Sequence, residues 1–99
     1  MRVEWSEGAL DDLAEIFARL ADFSGTASAM RRVRSIHASL RLLGESPEAG
    51  RKSKLAGVRE LVIPNSPHVA GYRIHSSFVE IIGIRDGPED FPSGGSWNQ

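Results

Sequence analysis

Arg59, Arg73 and Arg85 are the side chains in this sequence best suited to act on a charged partner. A guanidinium is no general base at neutral pH, but its planar fork clamps phosphate or carboxylate and stabilises charge developing in a transition state. By strand alternation Arg73 shares a face with Val69 and Gly71, and Arg59 with Leu61 and Ile63. The competing reading is a surface ion pair with a nearby acid, Glu60, Glu80 or a tail carboxylate, the commoner use of a strand arginine. Other chemistry-bearing residues are sparse. The chain has no cysteine, which removes thiolate and zinc–thiolate chemistry. His37, His68 and His75 show no metal-site spacing and read as structural or solvated, so no metal is expected. No GxGxxG, P-loop, G-x-S-x-G or HExxH segment occurs, and no cofactor is expected.

The elements that position these arginines are legible as a change of hydrophobic period near residue 57. Val58 to Ile63, Val69 to Ile74 and Phe78 to Ile84 read as three strands, divided by Pro64-Asn65-Ser66-Pro67 and by His75-Ser76-Ser77. Connections this short force antiparallel pairing, because a parallel crossover needs about a dozen residues or more. Ahead of this meander, Arg2 to Trp5 reads as a first strand, and Ser6 as the N-cap of a helix whose early acids favour its dipole. Leu10, Leu13, Ala14, Phe17, Leu20 and Ala21 form its apolar stripe. Gly25 breaks the period, with Ser24 placed to cap a second helix from Thr26 to Leu43, which Gly44 and Pro47 end. That helix buries Ala29, Val33, Ile36, Leu40 and Leu43 and turns Arg31, Arg32, Arg34 and Arg41 outward. Residues 46–56 read as a polar loop carrying Arg51, Lys52 and Lys54. The fold class that follows is α+β, β-α-α-β-β-β, with an antiparallel sheet packed against a helical hairpin. Residues 1–92 form one domain in this reading, and residues 93–99, rich in Gly and Ser, a flexible C-terminal tail.

Ile16 on the first helix, and Met30 and Leu42 on the second, stand off the core stripes. An apolar face wider than one core contact points to a second apolar partner, and a helix laid in a groove is the usual one. Composition agrees with a soluble domain: 40% of the 99 residues are hydrophobic and 25% charged, and no apolar run approaches the roughly 20 residues of a membrane span. A cytoplasmic location is expected. Charge is segregated along the chain. Residues 1–29 hold two arginines against six acids, net −4; residues 30–85 hold ten Arg or Lys against four acids, net +6; and the tail from Asp86 adds three acids, net −3. A total of −1 lacks the strong basic balance of proteins that grip nucleic-acid backbone, so no direct DNA binding is expected of this chain alone.

Four patches, in order, resemble the RelE/ParE superfamily of bacterial type II toxins: V-x-W-S with A-L-x-D-L at Val3 to Leu13, L-x-x-x-P-x-x-G-R at Leu43 to Arg51, G-V-R-E-L at Gly57 to Leu61, and G-Y-R-I at Gly71 to Ile74. In RelE-like members, which cleave messenger RNA on the ribosome, a basic cluster lies on the sheet. Arg59 fits its first position, but Leu61 and Val69 stand where further basic residues belong, and the tail has no tyrosine or histidine. ParE-like chains, which poison DNA gyrase, often end the last strand in a segment that Ile84 to Pro92, IRDGPEDFP, matches at Gly87, Asp90 and Pro92, with Phe91 a conservative change, Asp86 in place of a histidine and Pro88-Glu89 in place of two arginines. The resemblance is closer to ParE. It implies a growth-inhibiting, plasmid-stabilising toxin, non-enzymatic, that binds DNA gyrase or a related topoisomerase. It also implies a cognate ParD-like ribbon-helix-helix antitoxin held in a hetero-oligomer. Target contacts would then fall on Arg59, Arg73, Arg85, Asp90 and Phe91, and antitoxin contacts on Leu13, Ile16, Phe17, Leu20, Met30, Arg31 and Arg34. The alternatives are a RelE-like, metal-independent endoribonuclease using Arg59, Arg73 and Arg85, and an inactive homologue acting as a binding module.

Overall fold

The computed structural model describes residues 1–86. Helix α1, Glu7–Ser24, starts where the Ser6 hydroxyl accepts the backbone N–H of Ala9 at 3.0 Å, the N-cap bond expected there. It ends at Gly25, and α2, Thr26–Arg41, begins at the next residue. Gly25 has φ 92°, a conformation open to glycine at little cost, which is why one residue suffices to turn the chain between the helices. Ser24 does not cap α2 as expected. It stays within α1, and Gly25 takes the N-cap position without a side-chain bond. After Arg41 the chain passes through two 3-10 turns, Leu42–Gly44 and Pro47–Ala49.

Five strands make one sheet in the order β1-β5-β4-β3-β2: β1 is Arg2–Trp5, β2 Arg51–Lys52, β3 Arg59–Val62, β4 His68–Ile74 and β5 Phe78–Asp86. Strands β3, β4 and β5 are the expected antiparallel meander, with bounds shifted by one or two residues. Two further strands complete the sheet, β1 at the expected Arg2–Trp5 and β2, which was not expected. β1 joins β5 in parallel, Arg2 beside Phe78 and Trp5 beside Ile81, so the sheet is mixed. β2 arises within the segment read as a loop and pairs antiparallel with β3. Two residues, both exposed, carry no apolar alternation that could mark a strand in the sequence.

The core lies between the helical hairpin and the inner face of the sheet, where Ile36, Leu40 and Leu43 meet Ile63, Ala70, Tyr72, Val79, Ile81 and Ile84. On α1 the buried line is Ala9, Leu13, Ile16 and Leu20, one residue round from the expected stripe. Leu10, 52% exposed, faces away, whereas Ile16 is only 3% exposed. Ile16 is therefore a core residue and offers no surface to a partner. Apolar residues follow helical spacing along both lines, and period alone cannot choose between them. Polar bonds make the choice: Asp12 Oδ2 accepts the backbone N–H of Ile84 at 2.9 Å, which sets the rotation of α1 over β5.

The opposite edge of the sheet is fastened by Tyr72, fully buried in the core. Its hydroxyl donates to the Pro47 carbonyl at 2.6 Å and accepts the Gly50 N–H at 2.9 Å. Burial raises the phenol above its ordinary pKa, offset in part by Gly50 and by the Arg59 charge, so the donating proton stays in place. A Cβ at Gly50 would lie 2.6 Å from the Glu60 carbonyl oxygen and 2.7 Å from the Tyr72 hydroxyl, and only glycine lets the turn approach so closely. Tyr72→Phe keeps the ring but leaves the buried Gly50 N–H without its acceptor. It should lower stability by about 1–3 kcal/mol in urea unfolding, with an unchanged m-value.

Candidate functional site

β1 stops at Trp5, beside Ile81, so the rest of β5 would be a bare edge if α1 did not cross it. The Ser6 N–H donates to the Ile81 carbonyl at 2.9 Å, and two turns on Asp12 Oδ2 takes both the Ile84 N–H and Arg85 Nη1 at 2.9 Å. A bulge falls between these bonds. Tyr72 is opposite Ile81 and Gly71 opposite Gly83, which leaves Ile82 without a cross-strand partner. Ile81 and Ile84 therefore both reach the core, while Ile82 joins Leu55, Val58 and Val69 in a small apolar cluster on the outer face.

Between the start of α1 and this outer face lies a cleft of about 550 Å³ lined by Glu7, Asp11, Asp12, Arg73, Glu80 and Arg85, among others. Arg73 and Arg85 are thus brought together. Arg85 is bound to Asp12, and Glu80 to His75 Nε2 at 2.9 Å. Arg73 makes no hydrogen bond or ion pair among the described residues. Four carboxylates surround two guanidiniums, so a phosphate entering here meets more like charge than opposite charge, and a segment of mixed or basic charge fits better.

Arg59 is not part of this cleft. It lies opposite Tyr72, on the inner face, and its Nη1 donates to the Gly50 carbonyl at 2.6 Å. There it clamps the same turn that Tyr72 holds. Among the described residues Glu60 takes Arg51 at 3.1 Å and Arg85 takes Asp12. Sequence reading passed over Asp12 as a dipole residue, because its partner is 73 positions away. No group of three or more His, Asp or Glu side chains able to hold a metal occurs among the described residues.

A second surface lies on the helices. Leu10 and Phe23 are 52% and 90% exposed, with Leu13, Phe17, Leu20 and Met30 half-buried and Arg31 and Arg34 exposed. Leu42, 63% exposed, belongs elsewhere, to an apolar groove formed with Leu61, Val62 and Pro64. Asp90, Phe91 and the tail 93–99 lie outside the described residues.

A two-helix hairpin on a mixed five-stranded sheet, with arginines divided between its faces, places the molecule among small open α+β domains. The model of the family described as "ParE toxin of type II toxin-antitoxin system, parDE" matches residues 3–91, and the chain belongs to that family. It is 34% identical over 91 residues to "Putative toxin Y4kP" of Sinorhizobium fredii (strain NBRC 101917 / NGR234), covering 92% of this chain and 93% of that protein. Among solved structures it resembles "Chromosomal ParDE TA system from P. aeruginosa", with a TM-score of 0.82, 27% identity, and coverage of 88% of this chain and 96% of that one. This is a ParE-type toxin of a toxin–antitoxin system. Of the patches that carry the resemblance, Gly50 and Tyr72 belong to the turn clamp, whereas Arg73, next to Tyr72, lines the cleft.

Asp12→Ala removes the acceptor of the Ile84 amide and the partner of Arg85 together. The variant should lose about 1–3 kcal/mol. Its Ile84 amide should exchange with solvent faster than in the parent, while the Tyr72 amide should keep the protection of the global fold.

Proposed function

We propose that this toxin inhibits growth by binding DNA gyrase or a related topoisomerase in the cytoplasm, without cutting RNA. A ParD-like antitoxin, of the ribbon-helix-helix type, neutralises it in a hetero-oligomer. The observation that carries the non-enzymatic reading is the separation of the arginines: Arg59 is spent on the Gly50 carbonyl on one face, while Arg73 and Arg85 share an acid-lined cleft on the other. Attack of a 2′-hydroxyl on phosphate needs charge stabilisation and proton transfer converging on one point. Arg73 and Arg85 serve instead as contacts to the target protein, and Asp90 and Phe91 extend that contact by sequence resemblance.

The antitoxin covers the apolar side of the hairpin, the exposed Leu10 and Phe23 with the half-buried Leu13, Phe17, Leu20 and Met30, and Arg31 and Arg34 pair with its acids at the rim. An apolar strip edged by charge is the usual seat of an amphipathic helix. Membership of a parDE family and likeness to a ParDE system support this partner class.

Expressed without antitoxin, the protein should provoke a DNA damage response and filamentation, and purified protein should inhibit supercoiling by gyrase. Rapid arrest of translation with cleavage of ribosome-bound messenger, lost in Arg73→Ala, would sink the reading. For the antitoxin, Arg31→Glu combined with Arg34→Glu should slow association about tenfold at low salt and change dissociation much less, since rim charges act mainly on encounter. An unchanged association rate would remove the basic face of α2 from the interface.

A further inference from the structure

His68 opens β4 and is 5% exposed, and its two ring nitrogens face opposite charges. Nδ1 lies 3.0 Å from Asp86 Oδ1 on β5, and Nε2 lies 3.2 Å from Arg32 Nη1 on α2. Arg19 on α1 stands 3.7 Å from the other Asp86 oxygen. A guanidinium can only donate, so Nε2 must accept, and the single ring proton sits on Nδ1 and is given to Asp86. A neutral imidazole in one tautomer therefore joins α2 directly, and α1 through Asp86, to β4 and β5. A second proton at Nε2 would set an N–H against the N–H of Arg32 and two positive charges side by side, and that contact cannot persist. The backbone of His68 is held separately, its N–H donating at 3.1 Å to the Ser66 hydroxyl, which donates at 2.9 Å to the Ile63 carbonyl. Arg32, at the rim of a cleft of about 330 Å³ floored by Ile16, Leu20 and Pro67, is the group with room to leave, and the cleft gives the ring access to water.

We propose that His68 is an acid-released latch: a proton taken from solvent at Nε2 expels Arg32 and frees the end of the helical hairpin nearest Gly25 from the sheet. The charged groups that face the ring are Asp86 from β5, Arg32 from α2 and, through Asp86, Arg19 from α1. Burial is the largest cause holding the ring below its ordinary value of 6.5; Asp86 opposes it, and Arg32 and Arg19 add to it. In the unfolded chain the ring titrates near 6.5, above its folded midpoint. The latch's stabilisation is then complete above that value and is lost as pH falls through the folded midpoint.

Long-range nitrogen–proton NMR on the full chain tests this. At pH about 7.5 the His68 ring should show the proton on Nδ1, and on acidification its midpoint should lie below the ordinary histidine value, with the amides of Ala29 and Phe23 shifting in step. A proton on Nε2, or a midpoint at or above the ordinary value, would overturn the proposal. Arg32→Met, which keeps the stem and removes the charge, should raise the midpoint by about half a pH unit or more; an unmoved midpoint would overturn it as well. The melting temperature should fall on going from about pH 7.5 to about pH 5.5, and fall less in His68→Gln. Should His68→Gln fail to fold, Arg32→Met supplies the same comparison.

Discussion

The buried hydroxyl of Tyr72 is the bond on which the far side of the sheet depends. The ring lies in the core below the hairpin, and the oxygen reaches the edge, where it holds Pro47 and Gly50 at once. A polar atom at that depth costs stability unless both its capacities are used, and here both are. Arg59 adds a charge-assisted bond to the Gly50 carbonyl, so the turn is gripped on its N–H and its C=O. Only with the turn fixed can Arg51 and Lys52 lie against β3 as a fifth strand. The arginine that looked most like a site residue is thereby a fastening of the scaffold.

Local physics in the sequence foretold what local physics decides. Ser6 caps, Gly25 turns, and Val69 to Ile74 and Phe78 to Ile84 pair as neighbours because each depends on residues a few positions away. What escaped the sequence depends on distant partners. The rotation of α1 follows from Asp12 reaching Ile84, and the parallel seating of β1 from an edge that β5 leaves open. For the site, alternation grouped Arg59 with Leu61 and Ile63, and Arg73 with Val69 and Gly71, but only the pairing of β3 with β4 shows that these two groups lie on opposite faces of the sheet. The cleft was not legible, because half of its lining comes from the start of α1 and half from β4 and β5.

The two faces of α1 divide its work. The line through Ala9, Leu13, Ile16 and Leu20 holds the fold, and small Ala9 lets the helix lie close over the sheet. On the neighbouring line Leu10 is left toward solvent in the chain alone and Phe17 is half-buried. Apolar area of this kind gains stability when a partner covers it, by about 25 cal/mol per Å² removed from water. In a 99-residue domain with a modest margin of its own, that is a large increment.

The parallel pairing of β1 with β5 also sets an order of assembly. Arg2 meets Phe78, the most distant strand pairing in the sheet, whereas α1 with α2 and β4 with β5 join through one residue and three. Loop-closure entropy defers the distant contact until the local hairpins exist. During synthesis β1 is made well before β5 and has no strand to pair with until Phe78–Asp86 has followed it. The edge of β5 that β1 occupies is therefore the last part of the sheet to close.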